Sequence, residues 1–303
     1  MKSPILVTGA TGNVGSVLVQ LLHNAGYTVR AAVVSEAEAD YLPKGVDWVK
    51  FDFTDPTTYA RAFVGVEKLF LMRPPHISQV ERDMKPAIDY AAAAGVQQIV
   101  FLSLLGAEKN NFVPHAKVEA LLEANSVPYT LLRCGFFMQN LSTTHRQDIN
   151  ENNDIFIPAG TGKTAFIDAR DIAAVAAKVL TEPGHAERAY SLTGSEALGY
   201  QEVAAMMSEV LGRPIRYSNP HFLRFAWRLW RRGFPLSYVT VVTAIYLTTR
   251  FGLAEAVTPE TAVLLDRPPL TMQQFISDYA PVWQGETAVI PNTTLEIVGG
   301  SKQ

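Results

Sequence analysis

Through the first half of the chain, short apolar and often β-branched runs alternate with longer segments of helical spacing. The runs are Pro4–Thr8, Thr28–Val34, Val46–Phe51, Glu67–Met72, Gln98–Leu104 and Tyr129–Arg133, and helical stretches at Val14–Ala25, Val80–Ala94 and His115–Ala124 lie between several of them. Repeated alternation of this kind predicts βαβ units and a parallel sheet. Ile5-Leu6-Val7 and Ile99-Val100-Phe101-Leu102 are apolar at every position, as strands covered on both faces should be. Right-handed crossovers then give an α/β, doubly wound parallel sheet over residues 1–150.

After residue 150 the pattern becomes mostly helical. Ile155–Pro158 and Thr164–Ile167 flank Gly160-Thr161-Gly162 and read as a hairpin-like connection. A helix is predicted over Asp168–Leu180, a short strand over Ala189–Leu192, and a helix over Tyr200–Leu211 that Gly212 and Pro214 end. Further helices follow at about Phe222–Arg232, Tyr238–Phe251, Pro259–Leu265 and Met272–Tyr279, the last with a capping box from Thr271 and Gln274. This half, 151–284, is expected to form a smaller substrate lobe over the strand ends and to contribute to the sheet, with 285–303 a loose tail.

Composition narrows the function classes. The 303 residues carry 26 Lys and Arg against 29 Asp and Glu, a formal charge of −3, which argues against a dedicated nucleic-acid binder. One cysteine, Cys134, makes neither an internal disulfide nor a thiolate metal cage, and a reducing, cytoplasmic setting is expected. The six histidines are scattered without a metal-ligand spacing, so no metal is expected. The uncharged stretch from Gly233 to Thr249 holds Pro235 and four threonines and is too short for a membrane span, so no integral membrane segment is expected.

The strongest chemical signal is Val7-Thr8-Gly9-Ala10-Thr11-Gly12-Asn13-Val14-Gly15, which follows a predicted strand and opens a predicted helix. Gly9 permits the tight exit, Gly12 leaves the backbone open to a pyrophosphate, and Gly15 lets the helix close on the sheet. The helix N-terminus then offers N–H groups to the phosphates, with Thr11, Asn13 and Val14 beside them. NADP or NAD is the expected cofactor. The second strand ends at Val34-Ser35-Glu36, with Arg30 inside it, so neither an acid for the ribose nor an arginine for a 2′-phosphate is fixed there. Ser35 is the candidate contact at that end, and Asp52 with Phe53 is placed to hold the adenine edge.

These features, taken with Leu71-Met72-Arg73-Pro74-Pro75, Leu102–Ala107, His115-Ala116-Lys117, Leu132–Asn140 and Phe166–Ala173, make the chain resemble the NmrA-like, atypical short-chain dehydrogenase/reductase family over about residues 4–283. The resemblance implies a Rossmann domain with a small C-terminal substrate lobe. It also implies either NAD(P)H-dependent reduction of a small-molecule acceptor or cofactor sensing without turnover. Two departures stand out: Val34 where many members carry arginine, and Cys134 where proline usually precedes the glycine.

Ordinary short-chain dehydrogenases transfer a proton through Tyr-x-x-x-Lys. None of the 11 tyrosines here has a lysine four places on, and Val113 stands four before Lys117. Reducing a simple ketone needs that proton, whereas a quinone, an iminium or a cationic dye accepts hydride with less help. Lys117 is the candidate for the nicotinamide ribose, a solvated lysine being the alternative. Ser103 either faces the nicotinamide or simply ends a strand. His115 either shuttles a proton near neutral pH or lies at a helix start. Arg73, Pro74 and Phe136 are expected at the cofactor, and Pro75, Phe137, Met138 and Asn140 at the acceptor, with core packing the alternative for Phe136–Met138. A monomer or homodimer is expected. Arg224, Arg228, Arg231 and Arg232 share a helix with Phe222, Phe225, Trp227 and Trp230, which reads as a solvated basic face or a membrane-surface contact. Gly160–Thr164 lacks the first glycine of a phosphate loop, since Ile157 stands there.

Overall fold

The computed structural model describes residues 3–285, so the remainder of the expected tail lies outside the described residues. The first half runs β1 (Ile5–Val7), α1 (Gly15–Asn24), β2 (Val29–Val33), α2 (Glu36–Ala39), β3 (Asp47–Lys50), α3 (Tyr59–Phe63), β4 (Lys68–Met72), α4 (Val80–Asp83), α5 (Lys85–Ala93), β5 (Gln98–Leu104), α6 (Pro114–Glu123) and β6 (Tyr129–Cys134). The second runs β7 (Phe136–Phe137), α7 (Arg146–Asn152), β8 (Asp154–Ile155), β9 (Lys163–Ile167), α8 (Ala169–Thr181), β10 (Arg188–Leu192), β11 (Ala197–Gly199), α9 (Tyr200–Leu211), β12 (Arg216–Tyr217), α10 (Phe222–Arg231), α11 (Leu236–Arg250), α12 (Glu260–Leu265) and α13 (Met272–Gln284).

The main sheet has seven strands in the order β10-β6-β5-β4-β1-β2-β3, all parallel. Side-chain alternation explains the uninterrupted apolar runs. Ile5, Val7, Val100 and Leu102 point into one core closed by α1 and α8. Leu6, Ile99 and Phe101 point into a second core with residues of α3, α5 and α6. Both layers are apolar, and the fold is a Rossmann-like α/β sandwich.

The second half returns to this sheet through β10 at its edge and α8 across its face, with Leu264 and Leu265 of α12 joining the same core. Otherwise it builds a third core from α9, α10, α11, α13 and the strands β8 and β9, in which the His145 and Tyr246 side chains are hydrogen-bonded. The hairpin expected over residues 155–167 does not form. β8 pairs with β12, while β9 pairs with β11 and β7, so the two segments never face each other. The turn between them is wedged under the end of α11, where a Cβ on Gly162 would lie 2.0 Å from the Thr249 carbonyl oxygen. Each strand therefore leaves the turn toward a different partner.

The arginine-rich helix also departs from expectation. Arg228 Nη1 and Arg232 Nη1 both bind Asp148, at 2.6 and 2.7 Å, and the Arg228 guanidinium lies 3.3 Å from the Phe156 ring centroid. Two of the four arginines thus clamp α10 onto the lobe, because a buried carboxylate on α7 needs cationic partners. Trp227 and Trp230 remain exposed. Among the described residues no helix is long and apolar enough to cross a membrane.

A buried charge network joins the lobe to the sheet. Asp168 caps α8 through the Arg170 N–H at 2.8 Å and pairs with the Arg170 guanidinium at 2.7 Å, which also reaches Asp278 on α13 at 2.6 Å. Gln139 adds a hydrogen bond to Asp168 and accepts from the Ala169 N–H.

Candidate active site

In an open parallel sheet, the ligand crevice lies beyond the carboxyl ends of the strands, where the strand order reverses. Here the chain runs outward from β1 to β3 and then crosses to β4, which places the reversal between β1 and β4. The glycine-rich turn after β1 and the Arg73-Pro74-Pro75 loop after β4 meet at that edge. Thr8 fastens them, since its hydroxyl donates to the Phe70 carbonyl at 3.0 Å and accepts from the Met72 N–H at 2.8 Å.

The three glycines differ in what surrounds them. Gly9 has φ +63°, and a Cβ there would fall 2.2 Å from Met72 Cε. A Cβ on Gly15 would lie 2.1 Å from the Gly9 carbonyl oxygen, so α1 is seated on the turn backbone itself. Gly12 is exposed, with only the Gly9 oxygen at 3.3 Å from a built Cβ. No side chain caps α1, whose N-cap is Val14; the Ser16 N–H is taken by the Gly12 carbonyl at 3.0 Å, and its neighbours at the helix start are the N–H groups that can face an anion. An open cradle above tightly closed glycines fits a dinucleotide pyrophosphate.

Around the cradle, Asn13 is half-buried and Val14 buried. Thr11 Oγ1 lies 3.4 Å from Glu38 Oε2, which also receives the Val34 N–H at 3.4 Å. Glu38 lies beyond the strand end at which sequence spacing puts such an acid, and one turn of α2 carries it back. Ser35 is exposed at the start of α2. Asp52 Oδ1 accepts from the N–H and hydroxyl of Thr54, both at 2.8 Å, and the Phe53 ring is buried against Phe51 with centroids 4.8 Å apart. The Phe53 side chain therefore serves the core.

Arg73 braces its own loop: Nη1 donates to the carbonyls of Pro74, Pro75 and Ile77 at 2.9, 3.3 and 2.6 Å. His115 is close enough to feel its charge. Burial first, and Arg73 second, push the His115 imidazole down to about 4. The expectation that His115 changes charge near neutrality therefore fails, for lack of solvent around the cation. Ser103 shares a sheet face with Ile99 and Phe101 and donates to Glu119 Oε1 at 2.5 Å. Glu119 is in turn bound by Arg133, with Nη2 to Oε2 at 2.7 Å. His115 packs on the inward side of α6 with Val118 and Glu119, whereas Lys117, two positions on, is exposed. A helix turns about 100° per residue, so these two side chains leave α6 on nearly opposite sides.

Past β6 the chain crosses from the sheet to the lobe. A Cβ on Gly135 would lie 2.8 Å from the Ala165 oxygen, and one on Gly194 would lie 2.2 Å from the Phe166 oxygen, so both crossings need bare backbone. β7 then divides its pair of rings: Phe136 packs on the lobe core, 6.1 Å from the Tyr246 ring, and Phe137 packs on the sheet core. Met138 is buried in the lobe core, Asn140 and Pro74 are half-buried, and Pro75 is exposed. Among the described residues no cluster of histidine, cysteine and carboxylate side chains could hold a metal ion.

The doubly wound sheet, the glycine cradle at its switch point and the lobe above define a dinucleotide-fold protein of the atypical short-chain dehydrogenase type. The NmrA-like family profile matches residues 1–250, and the chain belongs to that family. It is 34% identical over 282 residues to the NAD(P)H azoreductase of Xenophilus azovorans, covering 91% of this chain and 98% of that one. To quinone oxidoreductase 2 of Escherichia coli it is 32% identical over 238 residues, 76% of this chain and 82% of that one. The E. coli quinone oxidoreductase QOR2 complexed with NADPH has a TM-score of 0.80 at 28% identity, covering 90% of this chain and 98% of that one. Citrobacter sp. triphenylmethane reductase complexed with NADP(H) also gives 0.80, at 25% identity, covering 91% and 99%.

Proposed function

We propose that the protein is an NAD(P)H-dependent reductase that delivers hydride to an electron-poor small molecule of the azo, quinone, imine or dye class. The observation that carries the reading is the open Gly12 backbone over the closed Gly9–Gly15 contact at the strand-order reversal. The named activities of the azoreductase and quinone-reductase relatives support it. A bound dihydronicotinamide supplies the hydride. The chain's own residues supply position: Gly9, Gly12, Asn13, Val14 and Gly15 hold the diphosphate, Arg73 stiffens the loop that carries Pro74 and Pro75, and from β7 Phe136 is assigned to the cofactor and Phe137 to the acceptor. Lys117, exposed on α6, is assigned to the nicotinamide ribose on the family resemblance. No tyrosine acid stands before Lys117, since Val113 occupies that position at the N-cap of α6. The acceptor is accordingly one that needs little proton help.

One observation favours a second reading, a non-catalytic NAD(P) sensor. Ser103 is committed to Glu119, and His115 is uncharged at neutral pH, so neither offers an acid of the usual strength. Mixing the purified protein with NADH or NADPH and a panel of azo dyes, quinones and imines separates the two. Oxidation of either nucleotide supports the reductase, and stoichiometric binding with no acceptor reduced supports the sensor. Lys117→Ala should raise the KM for cofactor, and an unchanged KM removes Lys117 from the site.

A further inference from the structure

Glu38 stands where the two nicotinamide dinucleotides differ. β2 ends at Val33, Val34 to Glu36 are exposed, and α2 turns Glu38 back toward the cradle. Its Oε2 takes hydrogen bonds from Thr11 Oγ1 and the Val34 N–H, both at 3.4 Å. Thr11 belongs to the glycine turn and Val34 follows the second strand, the two segments that flank the adenosine ribose in a dinucleotide fold. A carboxylate between them accepts from a ribose 2′-hydroxyl, whereas a 2′-phosphate brings negative charge against it. The nearest basic residue of β2 offers no relief. Arg30 Nε pairs with Asp47 at 3.0 Å, and its Nη1 donates to the carbonyls of Ala62 and Val64 at 3.2 and 2.8 Å. Among the described residues no lysine or arginine forms an ion pair with Glu38.

We infer that Glu38 makes this protein select NADH over NADPH. The inference rests on the cofactor reading above, and it runs against the 2′-phosphorylated cofactors bound in the two solved relatives. Because the discriminating group is a charge at a partly exposed position, replacing it leaves the fold intact and acts mainly on NADPH. Added salt narrows the preference by screening.

The test is equilibrium binding of NADH and NADPH, followed by titration calorimetry on the wild type, Glu38→Gln and Glu38→Arg, with melting temperatures recorded for each. The wild type should bind NADH about tenfold or more tightly than NADPH, a ratio that corresponds to about 1.4 kcal/mol. Glu38→Gln should bring the ratio close to one, chiefly by strengthening NADPH, and Glu38→Arg should invert it. If NADPH binds the wild type as tightly as NADH, or if Glu38→Gln leaves the ratio unmoved, the role of Glu38 is overturned while the cofactor reading stands. If neither nucleotide binds, both fall.

Discussion

Arg133 and Glu119 form a two-pronged charge pair beneath the candidate site, with Arg133 Nη2 at 2.7 Å and Nε at 3.2 Å from Glu119 Oε2. One residue lies on β6 and the other on α6, and Ser103 of β5 donates to the same carboxylate, so three elements meet at one side chain. The Glu119 and Arg133 side chains are 5% and 17% exposed, respectively. Removing the carboxylate leaves the Arg133 guanidinium only the longer pair with Glu108 at 3.6 Å, and Glu119→Ala is expected to lower stability by about 2 kcal/mol. Urea denaturation measures it. A loss below about 1 kcal/mol would mean that apolar contacts alone hold α6 in place.

Two alanine substitutions in the glycine turn should separate folding from binding. At Gly15 the new methyl meets the Gly9 backbone at 2.1 Å, which cannot rotate away, so Gly15→Ala should lower the melting temperature and abolish nucleotide binding together. At Gly12 the methyl meets the Gly9 oxygen at 3.3 Å, a contact that a shift of a few tenths of an ångström relieves, but it stands in the path of the pyrophosphate. Gly12→Ala should melt within a few degrees of wild type and bind dinucleotide about tenfold or more weakly. Equal binding by Gly12→Ala and wild type would place the diphosphate elsewhere.

Acid should weaken the fold through its histidines. His115 is held at about 4 against 6.5 in an unfolded chain, and His145, in the lobe core, is likewise pushed by burial to about 4. As pH falls below 6.5 the unfolded chain takes up protons that the native one refuses. The stability each histidine contributes is therefore complete above pH 6.5 and is lost toward pH 4, at a limiting slope of about 1.4 kcal/mol per pH unit. His115→Gln should flatten the stability–pH curve in that window by up to one proton. An unchanged slope would show that native His115 takes up its proton freely.

Cys134 should resist alkylation in the native protein. Its thiol is buried and donates to the Leu132 carbonyl, and burial raises its pKa, so the reactive thiolate is scarce. Iodoacetamide at pH 8 should label it only after denaturation, as mass spectrometry would show. Rapid native labelling would indicate that the junction after β6 opens.

The parallel sheet could be read from the sequence because strands covered on both sides must be apolar at consecutive positions, as Ile99 to Leu102 are. The glycine turn was legible for a similar reason: its spacing is dictated by backbone contacts between Gly9 and Gly15 only a few residues apart. What stayed hidden depends on partners distant in the chain. Asp148 meets Arg228 and Arg232 only through the fold of the lobe, and so the helix looked like an unpaired basic face. The same holds for Ser103, whose hydroxyl is claimed by Glu119 of the following helix, and for the segments around Gly162, which part to pair with β12 and β11.

β10 and α8 come from the second half of the chain yet complete the first half's sheet. A protein cut after residue 150 would leave β6 as a bare edge and one apolar face with α1 but without α8, the conditions under which strands recruit neighbouring molecules. Expressed alone, the nucleotide-cradling half should therefore precipitate, and any attempt to borrow it as a separate binding module would have to carry residues 169–192 along.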